Sequence, residues 1–132
     1  MKVFVCVDDN GGMLFNNRRQ SRDKKVVEKI REIVGEEKLW IKEFSKAMFE
    51  ESVVVDDALL DQAGQDDYCF IENEHLSPYE EKIDVIYVFK WNRVYPADFK
   101  LDLHLEERYT MTSSEEFAGN SHDKITLEVW KR

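Results

Sequence analysis

Two runs constrain this chain more than any others: "KVFVCV" at residues 2–7 and "DVIYVFKW" at 84–91. Both are dominated by consecutive apolar and β-branched residues with little polar alternation. Strands of that kind are buried on both faces, as in parallel sheets, and a parallel sheet needs crossover connections. The intervening sequence supplies them. Val26, Val27, Ile30, Ile33 and Val34 recur at helical spacing. With Ser21 as N-cap and Gly35 as a left-handed stop, they predict a helix over about 22–34. "KLWIK" (38–42), "SVVVD" and "DYCFIE" (67–72) predict short strands. "SKAMFEE" (45–51, capped by Ser45), "DALLDQAG" and "SPYEEKI" predict short helices, the last with Pro at its first position. The tail segments "YTMTS" and "KITLEVWKR" are strand-like, with no helix between them.

The resulting order is β-α-β-α-β-α-β-α-β followed by strands alone. It predicts an α/β fold, a mainly parallel sheet flanked by helices with a C-terminal antiparallel hairpin. With 132 residues and no repeat, linker or low-complexity segment, a single domain over 1–132 is expected. No apolar run approaches the roughly 20 residues of a membrane helix. The opening "MKVFVCVDDN" looks like a first strand, not a leader, so no membrane partner and a cytoplasmic location are expected. Cys6 and Cys69 each sit in an apolar strand-like run with no CxxC spacing, and are expected to be reduced core thiols.

Charge is distributed unevenly. The chain carries a formal net charge of −9, which argues against a duplex-DNA partner. Yet residues 17–31 hold seven basic side chains against two acids, whereas 50–84 hold twelve acids against Lys82. The basic segment begins in the loop that leaves the carboxyl end of the first strand, where open α/β sheets bind ligands. Arg18, Arg19 and Arg22, beside the start of a helix, are therefore candidates to hold a phosphate or carboxylate, with Gly11 and Gly12 allowing close backbone approach. The alternative is a solvated loop whose arginines face the acidic surface. A loop arginine of this kind, Arg19 for instance, should be replaceable at little cost to stability. Asp23 is a candidate to hydrogen-bond a heterocycle or act in acid–base chemistry; the plainer reading is a first-turn acid complementing the helix dipole.

The remaining signals are weak. His75, His104 and His122 show no metal-ligand spacing, so no metal is expected, and His122, in a turn after "AGNS", reads as surface. Trp40, Trp91 and Trp130 fall on predicted strands and read as packing residues. "WNRVYPADF" (91–99) alternates aromatics with Arg93, a pattern compatible with base stacking but more simply a packed loop.

The C-terminal third resembles the end of dihydrofolate reductases, through Ile83–Phe89, Asp98-Phe99, Thr112–Glu116 and Ile125–Arg132. The opening strand, Val-Asp, glycine-containing loop and acid-led helix are similar too, with Asp23 near that family's pterin-binding carboxylate. The resemblance implies a dihydrofolate-reductase-like sheet. It also exposes departures. The Pro-Trp ahead of the acid is replaced by "FNNRRQSRD". The Gly-Arg-x-Thr turn that grips dinucleotide phosphates is replaced by "IKEFSKAMF". Glu72 and Asn73 stand where a Gly-Gly pair lets the cofactor approach. No cofactor is therefore expected. The reading that results is a binding protein for an anionic or nucleotide-like small molecule at the loop after the first strand. A diverged reductase of a pterin-like substrate, an RNA-acting protein and a non-catalytic interaction protein are the alternatives.

Overall fold

The apolar runs pair as their composition demands. In a computed structural model describing residues 1–132, the elements in chain order are β1 (Lys2–Val7), β2 (Gly12–Phe15), β3 (Arg18–Arg19), α1 (Lys24–Val34) and β4 (Leu39–Ile41). A 3-10 segment (Glu43–Met48), β5 (Val54–Val55), α2 (Leu59–Gln62), β6 (Tyr68–Phe70) and a second 3-10 segment (Ser77–Lys82) follow. The chain closes with β7 (Val85–Lys90), β8 (Phe99–Lys100), α3 (Leu105–Arg108), β9 (Thr110–Phe117) and β10 (Ile125–Lys131).

Seven strands form one sheet in the order β5-β4-β6-β1-β7-β10-β9. β1 lies at its centre, parallel to β6 on one side and β7 on the other. β10 runs antiparallel to both β7 and β9, so the expected C-terminal hairpin is present and closes the sheet. The alternation along β1 sorts the core into two layers. Val3, Val5 and Val7 pack with Met13, Leu59, Leu60, Leu76 and Ile86 on one face. Phe4 packs with Val26, Ile30 and Val34 of α1 on the other, three residues at intervals of four that make one helical stripe. Gly35 ends α1 with φ +58°, as its position predicted.

Several local expectations are corrected. Asp23, not Ser21, caps α1: its carboxylate accepts from the Lys25 amide at 2.9 Å. Ser45 caps nothing; it lies inside a 3-10 segment with its hydroxyl turned inward to Glu72 at 2.7 Å. The stretch 8–20 is not an open loop. β2 and β3 form a hairpin across Asn16 (φ +51°) and Asn17 (φ +61°), and β8 adds a third strand. Two successive left-handed residues are what a two-residue hairpin turn requires, and Asn tolerates them. This small sheet and α3 have no counterpart in the sequence reading. No helix is long and apolar enough to cross a membrane.

Candidate functional site

The carboxyl ends of β1 and β6 meet the incoming β3 at a partly buried ion pair. Glu72, two residues beyond β6 and 8% exposed, receives Arg19 Nε at 2.7 Å and Nη2 at 2.9 Å. Arg19 Nη2 also donates to the Phe44 carbonyl, and its guanidinium lies 4.9 Å from the Phe44 ring centroid. Ser45 Oγ completes the carboxylate's shell. The Cys6 thiol is pushed well up by burial and by the negative charge of Glu72, with Arg19 opposing. A bidentate arginine on a buried carboxylate is a fixed structural unit, strongly resistant to losing either partner.

A second polar network surrounds the N-terminus of α1. Asp23 Oδ1 accepts the amides of Lys25 (2.9 Å) and Asn120 (2.8 Å); Oδ2 accepts the amide of Ser121 (2.8 Å) and faces His122 Nδ1 at 2.9 Å. Burial would push this carboxyl up, but the Asn120 amide, His122 and the Ser121 and Lys25 amides outweigh it and hold Asp23 well below the usual carboxylate range. An ionised acceptor at Oδ2 fixes the imidazole with its proton on Nδ1. His122 Nε2 faces Ser21 Oγ at 2.9 Å and Tyr95 Oη at 3.4 Å. Trp91 stacks on the imidazole, centroids 4.6 Å apart. The His122 side chain is 5% exposed, which corrects the expectation of a surface histidine. Gly119 makes the turn possible: a Cβ there would meet Asp23 Oδ2 at 2.6 Å and the His122 carbonyl at 2.8 Å.

Beside this network a cleft of about 860 Å³ opens between α1 and residues 47–52. Arg22, Lys24, Asn120, Ser121, Glu50 and Glu51 are among its polar lining, with Val27 and Met48 among its apolar lining. Lys25 pairs with Glu28, and Lys29 with Glu32 and Glu115; Arg22 and Lys24 have no ion-pair partner. Arg31, also in the lining, is held by the carbonyls of Glu51 and Ser52.

The six residues singled out from the sequence are thus dispersed. Arg18 points to solvent on β3, Arg19 turns inward to Glu72, and only Arg22 and Asp23 border the cleft. Asp23 reaches it through backbone, since its carboxylate is fully buried and its oxygens are occupied. Gly11, at φ +76°, and Gly12 shape the β1–β2 turn. The Gly12 amide donates to Asp8 Oδ1 at 2.7 Å, and a Cβ there would meet Ala97 Cβ at 2.5 Å. Asp8, 1% exposed, also takes the amides of Asn10 and Tyr95, tying this turn to residues 91–96. Burial pushes the Asp8 carboxyl up, but these amides and the Gln20 side chain hold it below its ordinary value. Trp91 is buried and serves packing, not base stacking. Glu72, Ser45 and His122 were missed as network members because their partners lie 27 or more residues away.

No sequence-family profile matches the chain, and no curated protein matches it. The fold does match a solved structure, a dihydrofolate reductase from Enterococcus faecalis complexed with NADP(H) and RAB-propyl. The TM-score is 0.70 at 9% sequence identity, covering 99% of this chain and 95% of that one. The chain has a dihydrofolate-reductase-like fold. The Glu72 carboxylate, locked to Arg19 and Ser45, stands at the β6 rim, and the segment after β4 is a 3-10 turn led by Lys42 with no side-chain cap.

Proposed function

We propose that this protein binds a small anionic, nucleotide-like molecule in the cleft between α1 and residues 47–52. The observation that carries this reading is that Arg22 and Lys24, both in the cleft lining, have no ion-pair partner, whereas Lys25 and Lys29 of α1 each do. Arg22 immediately precedes the Asp23 cap of α1 and Lys24 opens the helix, whose dipole adds to the field felt by a phosphate or carboxylate. Glu50 and Glu51, also in the lining, suit the amino or ring N–H donors of a base. The Arg19–Glu72–Ser45 unit speaks against the diverged reductase, and buried Trp91 speaks against an RNA surface on 91–99.

The test is thermal denaturation against AMP, ADP, pyrophosphate, NADPH, dihydrofolate and a short RNA, followed by titration calorimetry. A ligand at about 100 times its Kd adds about 2.7 kcal/mol. Arg22→Ala combined with Lys24→Ala removes two charge-assisted contacts and is expected to weaken binding of a responding nucleotide by about 100-fold. Arg18→Ala is expected to change nothing. Unchanged affinity in the double variant would overturn the site, a shift with NADPH or dihydrofolate would restore the reductase, and no shift with any probe would leave the interaction protein.

A further inference from the structure

The Ser21–His122–Asp23 network does more than is needed to cap a helix. Asp23 Oδ1 alone caps α1 through the Lys25 amide. Oδ2 faces an imidazole from a turn 99 residues away, and that imidazole faces a serine hydroxyl. Each separation is 2.9 Å. The order is the one a nucleophilic serine requires: carboxylate to Nδ1–H, Nε2 lone pair to O–H. An ionised carboxylate can only accept, so Nδ1 carries a proton; in the neutral imidazole the Nε2 lone pair then faces Ser21 Oγ. Trp91 stacked on one face of the ring and Tyr95 near Nε2 hold the imidazole in place.

Access distinguishes the members. Asp23 and His122 are sealed, with side chains 0% and 5% exposed, while Ser21 is partly open to solvent. Arg22 and Ser121, the chain neighbours of Ser21 and His122, line the 860 Å³ cleft. The first amides of α1 lie immediately downstream, and the Lys24 amide has no intrahelical acceptor.

We propose that Ser21 is an acyl-accepting nucleophile, with His122 as its general base and Asp23 as the positioning residue. The substrate class is a small carboxylic ester. Ser21 Oγ adds to the carbonyl carbon as its proton passes to His122 Nε2. The ester C–O bond breaks, and the leaving alcohol takes that proton from Nε2. Water then adds to the acyl-serine with Nε2 as base, releasing the carboxylic acid and restoring the Ser21 hydroxyl. No redox partner or metal enters. The proposal is independent of the nucleotide-like ligand, since a small reagent reports on Ser21 whatever the larger cleft holds.

The test is modification of the native protein by a small fluorophosphonate, mapped by mass spectrometry. Ser21 is expected to react about 100-fold faster than the exposed Ser113 and Ser114, the increment a positioned base supplies. This comparison within one molecule needs no variant to fold. Ser21→Ala and His122→Gln, checked by circular dichroism, are expected to abolish fast labelling and hydrolysis of p-nitrophenyl acetate. Ser21→Cys is expected to be alkylated by iodoacetamide faster than Cys69. Asp23→Asn that remains folded is expected to lose the fast labelling even where thermal stability is restored by a stabilising co-solvent, an effect a purely structural carboxylate would not produce. Equal reactivity at Ser21, Ser113 and Ser114 would overturn the proposal and leave the network a structural tie.

Discussion

Replacing Asp23 by Asn tests the reasoning about the α1 terminus most sharply, because the two side chains have the same shape. The carboxylate accepts four N–H groups: Lys25 and Asn120 at one oxygen, Ser121 and His122 at the other. An amide places a donor where Oδ2 stood. His122 can answer by moving its proton to Nε2, but the Ser121 amide has no such freedom and is left facing a donor. An unsatisfied buried donor costs about 1–3 kcal/mol, and the surviving hydrogen bonds fall from charge-assisted to neutral strength. The sum is about 3–4 kcal/mol, a large part of the roughly 5–15 kcal/mol that stabilises a domain. Urea denaturation followed by far-ultraviolet circular dichroism at neutral pH measures it. The pH dependence supplies the second half. The folded carboxyl is held below its unfolded value, so its contribution is complete above the unfolded pKa, about 3.9, and is lost as pH falls toward the folded one. Wild type is therefore expected to lose stability faster than Asp23→Asn below about pH 5, with the two converging in strong acid. A neutral-pH difference under about 1 kcal/mol, too small for a lost charge-assisted contact, would refute the argument. So would a difference that stays constant into strong acid.

Two further outcomes follow from the same geometry. Arg19→Ala is expected to cost about 3 kcal/mol, because it strands the buried Glu72 carboxylate. Replacing both Arg19 and Glu72 with apolar residues should recover much of that loss, and a negligible change in Arg19→Ala melting would return Arg19 to the solvated loop. Gly119→Ala is expected to cost about 2 kcal/mol, because the new Cβ meets Asp23 Oδ2, the His122 carbonyl and Ile125 Cδ1, all within 2.9 Å. Normal stability in that variant, with the His122 imidazole resonances unmoved, would show that the 119–122 turn yields.

The arginine cluster shows where sequence reading stops. Arg18, Arg19 and Arg22 are three neighbours in a loop by sequence, and nothing local separates them. A two-residue turn at Asn16 and Asn17 splits them, sending Arg18 outward and Arg19 inward. Arg19 then finds a carboxylate 53 residues away. Glu72 was legible as an obstacle where a glycine is expected, but its partner was not. Cys69 fits its apolar run: it is buried, and burial raises its thiol to about 12. Cys6 leaves part of its residue surface exposed, while its thiol is covered enough for burial to push it well up.

What the sequence determined by itself was everything written in local periodicity. The continuous apolar strands demanded a covered parallel sheet, the i, i+4 valines and isoleucine demanded α1, Gly35 its stop, and the helix-free tail an antiparallel closure. These signals are local because backbone pairing and burial act residue by residue along each element. The tertiary structure decided which polar groups meet. Register along β1, β6 and β7 brings Glu72 to Arg19, and the β9–β10 turn carries His122 to Asp23 and Ser21. Hydrogen bonds between residues 99 or 101 positions apart leave no periodic trace. They exist only because packing two apolar layers on one sheet leaves those groups buried together, with each other as their remaining partners.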